Sequence, residues 1–110
     1  MDIISQLNKR YATKIFDPSK KVSDNDMGKL LEAIRLSASS MGLQPYKVLV
    51  VTDPAIRAEL RTAAYNQPQI TDAAALLVFA ANVKADEKSA EDFMALIAGT
   101  RNVSTESLSG

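Results

Sequence analysis

The chain has 110 residues, 46% hydrophobic and 24% charged, and its thirteen basic and thirteen acidic side chains balance to a formal net charge of zero. That composition suits a globular domain with enough length for one core, and it lacks the basic excess that nucleic-acid binding demands. With no His and no Cys, imidazole relays, thiol nucleophiles, disulfides and zinc-thiolate sites are excluded. No apolar stretch reaches the length of a membrane span and the N-terminus is no signal peptide, so a cytoplasmic location is expected.

Asp2 is placed to cap a short first helix with Ile3, Ile4 and Leu7 on one side. Residues 10–21 are mixed basic and aromatic, and Asp17-Pro18 blocks helix continuation, so a loop or short extended segment is expected. Ser23 and Asp26 form a capping-box pattern with Asp in place of Glu, and Val22 and Met27 sit where a hydrophobic staple falls. Met27, Leu30, Leu31, Ile34 and Ala38 then recur at helical spacing as a core-facing stripe. Gly42 permits a turn, and Gln44-Pro45 predicts extended backbone leading into a buried strand at 47–51.

Asp53-Pro54 opens a further helix with Ile56, Leu60 and Ala63 inward, and Asn66-Gln67-Pro68 breaks it before a single turn at 69–72. The nearly unbroken apolar run 74–81 predicts a strand covered on both faces. A last helix is expected from about 86 to 98 with Gly99 as its stop, followed by a Ser/Thr-rich tail at 100–110 that is disordered or weakly packed. The elements amount to an α+β arrangement of about four helices and two strands. Two strands make a poor sheet. Residues 1–99 therefore look like an incomplete domain whose further strands come from another chain or a missing segment.

Few side chains can carry chemistry. Arg10 and Lys14 offer a guanidinium for phosphate oxygens and a compact charge for a carbonyl or ring nitrogen; the competing reading is two solvated surface cations. Ser39 and Ser40 either donate hydroxyls to a phosphate or sugar or merely end a helix, and without histidine a serine nucleophile has no base. Asn66 and Gln67 present amides to a flat heterocycle or serve as turn residues. Met41 and Tyr46 are pocket walls or core, and Glu87, Glu91 and Asp92 lie on a helix with no metal constellation.

Taken in order, these blocks resemble the FMN-dependent nitroreductase family. Asp2-Ile3-Ile4 with Lys9-Arg10-Tyr11-Ala12-Thr13-Lys14-Ile15-Phe16-Asp17 resembles its N-terminus. Ser37-Ala38-Ser39-Ser40-Met41-Gly42-Leu43-Gln44-Pro45-Tyr46 resembles its second block, and Asn66-Gln67 before Ile70-Thr71-Asp72-Ala73 its third. The resemblance implies a homodimeric α+β flavoprotein, with helices flanking a mixed sheet and FMN at the subunit interface. It implies transfer of hydride from NADH or NADPH, then reduction of nitroaromatics or quinones in ping-pong half-reactions. Arg10 is implied to bind the FMN phosphate, with Tyr11 and Ala12 in the same cofactor-binding segment. Lys14 is implied at the N1/O2 edge of the ring, Ser39 and Ser40 lining the cofactor site, and Asn66 bonded to the ring with Gln69 beside it. Lys14, Met41 and Asn66 are implied to face the small-molecule acceptor.

Departures accompany the likeness. The family commonly has Ser at Ala12, Pro at Ala38, Asn at Gly42 and a basic residue at Gln69. Its members are also about twice as long, so residues 1–99 correspond to an N-terminal half. The alternative is a non-catalytic α/β dimerisation or interaction module that keeps the fold without flavin. Both readings expect self-association, no nucleic acid, no membrane and no metal.

Overall fold

A computed structural model describes residues 2–84 and 86–108, so the last two residues of the tail expected at 100–110 lie outside the described residues. The chain divides into two units. The first comprises the residues up to Met27 with Val50–Val78, the second Gly28–Leu49 with the residues from Phe79 onward.

Helix α1 (Ile3–Lys9) begins where expected: the Asp2 carboxylate accepts from the backbone N–H groups of Ile4 and Ser5, both at 3.1 Å. Ile3, Ile4 and Leu7 stay exposed, so the apolar side of this helix has no cover among the described residues. Residues 10–23 have no regular structure apart from a turn at Pro18 and Ser19. The Asp17 carboxylate holds that turn by accepting from the Ser19 N–H (3.0 Å) and hydroxyl (2.6 Å).

Helix α2 (Asp24–Leu36) starts at Ser23, whose hydroxyl accepts from the Asp26 N–H (3.1 Å) and donates to the Asp26 carboxylate (2.9 Å). Asp, shorter than the usual Glu, takes the capping hydroxyl itself. Of the expected stripe, Met27 and Ile34 are half-buried while Leu30 and Leu31 remain exposed. A 3-10 turn, Ser40–Gly42, leads to strand β1 (Tyr46–Val51).

Helix α3 (Pro54–Ala63) is capped by Asp53, which accepts from Ala55 and Ile56 N–H at 2.9 and 3.0 Å, with proline in the first turn. Its inward face differs from the expected one. Leu60 is half-buried, but Ile56 and Ala63 are exposed, and the buried residue is Arg57 at 6% exposure. The cause is helix α4 (Gln69–Asp72): Arg57 Nε donates to the Ile70 carbonyl (2.8 Å) and Nη2 to the Ala73 carbonyl, satisfying groups that a four-residue helix leaves unbonded.

Strand β2 (Leu76–Ala81) pairs with β1. The Asn82 N–H, just past β2, donates to the Pro45 carbonyl, just before β1, at 2.8 Å, so the strands run antiparallel. The apolar run is not covered on both faces as expected. Leu76, Leu77 and Val78 are half-buried, and Phe79, Ala80 and Ala81 are exposed, because a two-stranded sheet offers no second layer here.

Helix α5 (Glu87–Arg101) starts at Asp86, which accepts from the Ser89 N–H at 2.9 Å. It runs past Gly99, the expected stop. Asn102 takes the left-handed conformation (φ +53) instead, and the Val103 N–H donates to the Ala98 carbonyl at 3.0 Å, closing the end in the Schellman manner. A 3-10 turn, Thr105–Leu108, follows with Leu108 half-buried. Among the described residues only Arg57 and Ala98 are buried.

Candidate functional site

The Arg10–Lys14 segment starts where α1 stops. The Arg10 N–H donates to the Gln6 and Leu7 carbonyls, and its own backbone then turns extended (φ −60, ψ 126), which releases the chain from the helix. Arg10, Tyr11, Ala12 and Lys14 are all exposed. Neither the Arg10 guanidinium nor the Lys14 ammonium makes a hydrogen bond or ion pair with another described residue. Two cations four residues apart therefore keep their full donor capacity for an outside anion.

The second unit holds Ser39, Ser40 and Met41 in a compact turn. Ser39 is half-buried, its carbonyl accepts from the Gly42 N–H (3.0 Å), and its hydroxyl oxygen accepts from the Gln44 N–H at 2.9 Å. With one lone pair engaged, Ser39 has its hydroxyl proton and a second lone pair left to offer. Ser40 is exposed, and Met41 is 83% exposed with φ +54.

Gln44 departs from the extended geometry expected before proline, having φ +44. Two bonds offset that preference: its N–H to Ser39, and its side-chain Nε2 to the Arg35 carbonyl at 2.7 Å, at the end of α2. Gly42 also sits at positive φ (+72), and a Cβ there would lie 3.2 Å from the Phe93 ring. These bonds, rather than a helix end, are what the serines belong to.

Asn66 and Gln69 belong to the first unit. Tyr65 and Asn66 are consecutive left-handed residues (φ +55 and +56), and Tyr65 is 92% exposed. Arg61, near the end of α3, holds the turn. Its carbonyl accepts the Asn66 N–H (2.9 Å), and its Nε donates to the Asn66 side-chain oxygen (3.0 Å) and main-chain carbonyl (3.3 Å). Its Nη1 donates to the Thr71 hydroxyl (3.0 Å), which also meets the Asp72 carboxylate and the Pro68 carbonyl. Gln69 is half-buried as the first residue of α4.

A cavity of about 710 Å³ also lies in the first unit, lined by Val22, Met27, Val50, Arg57, Thr71 and Ala74 among others. None of the candidate cofactor residues lines it. Its lining includes residues at the end of β1 and on the approach to β2. No grouping of acidic residues among those described could hold a metal, and Asp92 is paired with Lys88 at 2.9 Å. No helix among the described residues is long and apolar enough to cross a membrane.

The sequence profile of the nitroreductase family matches residues 7–106. The chain belongs to the nitroreductase family. A Bacillus subtilis (strain 168) protein bearing the name NAD(P)H nitroreductase is 42% identical over 93 residues, 84% of this chain and 42% of its own length. The major NAD(P)H-flavin oxidoreductase of Aliivibrio fischeri is 42% identical over 83 residues, 71% of this chain and 38% of its own length. A protein of Exiguobacterium sibiricum, named a nitroreductase and solved in complex with FMN, superimposes with a TM-score of 0.73 at 22% identity, covering 98% of this chain and 51% of that one. This nitroreductase-family chain thus has the nitroreductase-like α+β fold, and spans about half the length of such relatives or less. The five α-helices and two strands among the described residues are an incomplete version of it.

Of the residues singled out from the sequence, Arg10, Tyr11, Ala12, Lys14, Asn66 and Gln69 fall in the first unit, and Ser39, Ser40 and Met41 in the second. Asn66 and Gln69 flank one turn; the Arg10–Lys14 side chains make no bond to either. Sequence reasoning missed Arg57, Arg61 and Gln44. The available signal for Arg61 was its place five residues before an Asn-Gln-Pro break, where a helical arginine can reach back onto the turn that ends its own helix.

Proposed function

We propose that this nitroreductase-family chain is the N-terminal part of an FMN-dependent oxidoreductase that uses NADH or NADPH to reduce nitroaromatics or quinones. The observation that carries the reading is the pair Arg10 and Lys14, exposed and without a partner among the described residues, inside the family match. The available groups suit FMN chemically. A dianionic phosphate needs cationic donors, and an isoalloxazine needs hydrogen-bonding groups along its pyrimidine edge.

In this reading Arg10 grips the phosphate, assisted by backbone N–H groups of Tyr11 and Ala12, and Lys14 places positive charge at the N1/O2 edge. Ser39 and Ser40 line the cofactor site, and Asn66 and Gln69 bond the ring. Lys14, Met41 and Asn66 face the acceptor. When bound, FMN supplies the hydride chemistry, accepting from the nicotinamide and delivering to the acceptor in alternating half-reactions. The protein's own contribution is charge: an ammonium held beside the ring favours the electron-rich form of the cofactor. A homodimer that places the cofactor between subunits, and a cytoplasmic address, belong to the same proposal, as do a domain of residues 1–99 and a separate tail.

The test is direct. Titration of the purified chain into FMN should quench flavin fluorescence, and Arg10→Ala should weaken that binding. A chain that stays colourless and resists reconstitution defeats the reading. The exposed Ile3, Ile4 and Leu7 favour the second reading, a flavin-free self-association module, to the same degree as they favour a dimeric enzyme. Sedimentation with and without FMN separates the two, because only the enzyme reading makes assembly or absorbance depend on the cofactor.

A further inference from the structure

Asn66 is bonded at every polar group but one. Its N–H donates to the Arg61 carbonyl (2.9 Å), while Arg61 Nε donates to its main-chain carbonyl (3.3 Å) and side-chain oxygen (3.0 Å). A guanidinium only donates, so the Asn66 atom facing it must be the oxygen, and the two ends of the amide are thereby told apart. The remaining group is the side-chain NH₂, which has no partner among the described residues. Arg61 is itself held, since Nη1 donates to the Thr71 hydroxyl (3.0 Å) and that hydroxyl donates onward to the Asp72 carboxylate (3.0 Å). The left-handed backbone at Asn66 (φ +56) is the conformation that brings its oxygens back onto Arg61.

We infer that Arg61 is a positioning residue that fixes the Asn66 amide in one sense, so that the NH₂ is the end it offers the bound ring as a hydrogen-bond donor. The inference deepens the flavin reading above and rests on it. A donor selects acceptor atoms: a ring carbonyl oxygen or an unprotonated ring nitrogen. A ring N–H at that position finds no acceptor in the NH₂ end of the amide, which a freely flipping asparagine could supply by reversing its ends. Arg61 therefore narrows the orientations in which a flat heterocycle can be held, without touching it.

The experiment is a double-mutant cycle read by FMN fluorescence quenching on the whole chain. Arg61→Met removes every donor at similar length, and Asn66→Gly removes the amide while keeping a residue at ease at positive φ. Each single variant is expected to weaken FMN binding by about tenfold. The double variant should be no weaker than Asn66→Gly alone, because Arg61 acts only through the amide. Losses that multiply would overturn the positioning role and leave the flavin reading standing. A wild-type chain that does not quench FMN overturns that reading and this inference together.

Asn66→Asp guards against a variant that merely unfolds. Its carboxylate still accepts from Arg61, so thermal stability should hold while FMN affinity drops about tenfold or more through loss of the donor. FMN binding unchanged in Asn66→Asp would show that no donor is needed and overturn the inference.

Discussion

The two stretches of the first unit with candidate cofactor contacts are built in opposite ways. Between Arg57 and Ala73 two arginines bond carbonyls, an amide oxygen and a hydroxyl, and one of them is buried. Between Arg10 and Lys14 the side chains are exposed and make no bond to a described residue. The first stretch spends its charges on its own backbone; the second keeps them for something outside. A prebuilt turn can discriminate between ligand orientations, because its donors are fixed before binding. Free cations supply attraction with little orientation, and their side chains are ordered only when the anion arrives.

That contrast breaks first at Arg10. Arg10→Ala should lower FMN affinity by about 1.5–3 kcal/mol, as expected for a charge-assisted hydrogen bond. Exposed charge also implies screening, so wild-type affinity should fall as salt rises beyond about 0.1 M, and the variant's should fall less steeply. Fluorescence titration at two ionic strengths checks both. An affinity unmoved by Arg10→Ala would remove the phosphate assignment and with it the contrast.

Arg57 tests the other side. Arg57→Met leaves the Ile70 and Ala73 carbonyls without their donor and should destabilise the chain by about 1–3 kcal/mol in urea unfolding. Arg57→Lys should recover only part, because an ammonium cannot span both carbonyls as a planar fork does. Neither variant should alter the salt dependence of FMN binding. If Arg57→Met does, the buried arginine is no mere internal tie.

These assignments also explain what could be read in advance. Caps were legible because Asp2, Ser23 and Asp53 act on N–H groups two or three residues away, a distance at which sequence order and spatial order agree. The existence of two strands and the turn at Gly42 were legible from the apolar runs and from a residue free to take positive φ, whereas the antiparallel pairing was not. Arg57 and Arg61 were not, because their partners lie 13 and 16, or 5 and 10, residues along. A helical arginine is otherwise indistinguishable from a solvated one. Gln44 was misread because a pre-proline preference was overruled by two hydrogen bonds that no local rule contains. The end of α5 was misplaced because Asn102 competes with Gly99 for the left-handed position. Coverage of β2 depends on layers that a chain spanning half of the fold does not have.

A smaller effect is expected at Gly42. Asn tolerates its positive φ, so Gly42→Asn should cost less than about 1 kcal/mol, provided the Phe93 ring shifts from the 3.2 Å contact. Gly42→Val adds β-branching at a left-handed position and should cost about 1–2 kcal/mol more. Phe93→Leu should relieve Gly42→Asn but not Gly42→Val, which separates crowding from backbone strain. Thermal melting of the four variants reads the difference.

The smallest effect is set by pH and falls on the exposed caps. The Ser89 hydroxyl and N–H donating to Asp86 hold its carboxyl below its ordinary value of 3.8, and Ser19 does the same for Asp17 by hydroxyl and N–H. A carboxyl whose folded value is depressed binds fewer protons folded than unfolded. Its contribution is therefore complete above the unfolded value and lost as pH falls through the folded one. Ser89→Ala removes the hydroxyl bond to Asp86 and leaves the backbone donor. The variant should melt below wild type at about pH 6, with the gap closing toward about pH 2 as both carboxyls protonate. A gap that stays constant over that range would mean that the serine hydroxyl serves α5 by packing or helix propensity, not by favouring the charged cap.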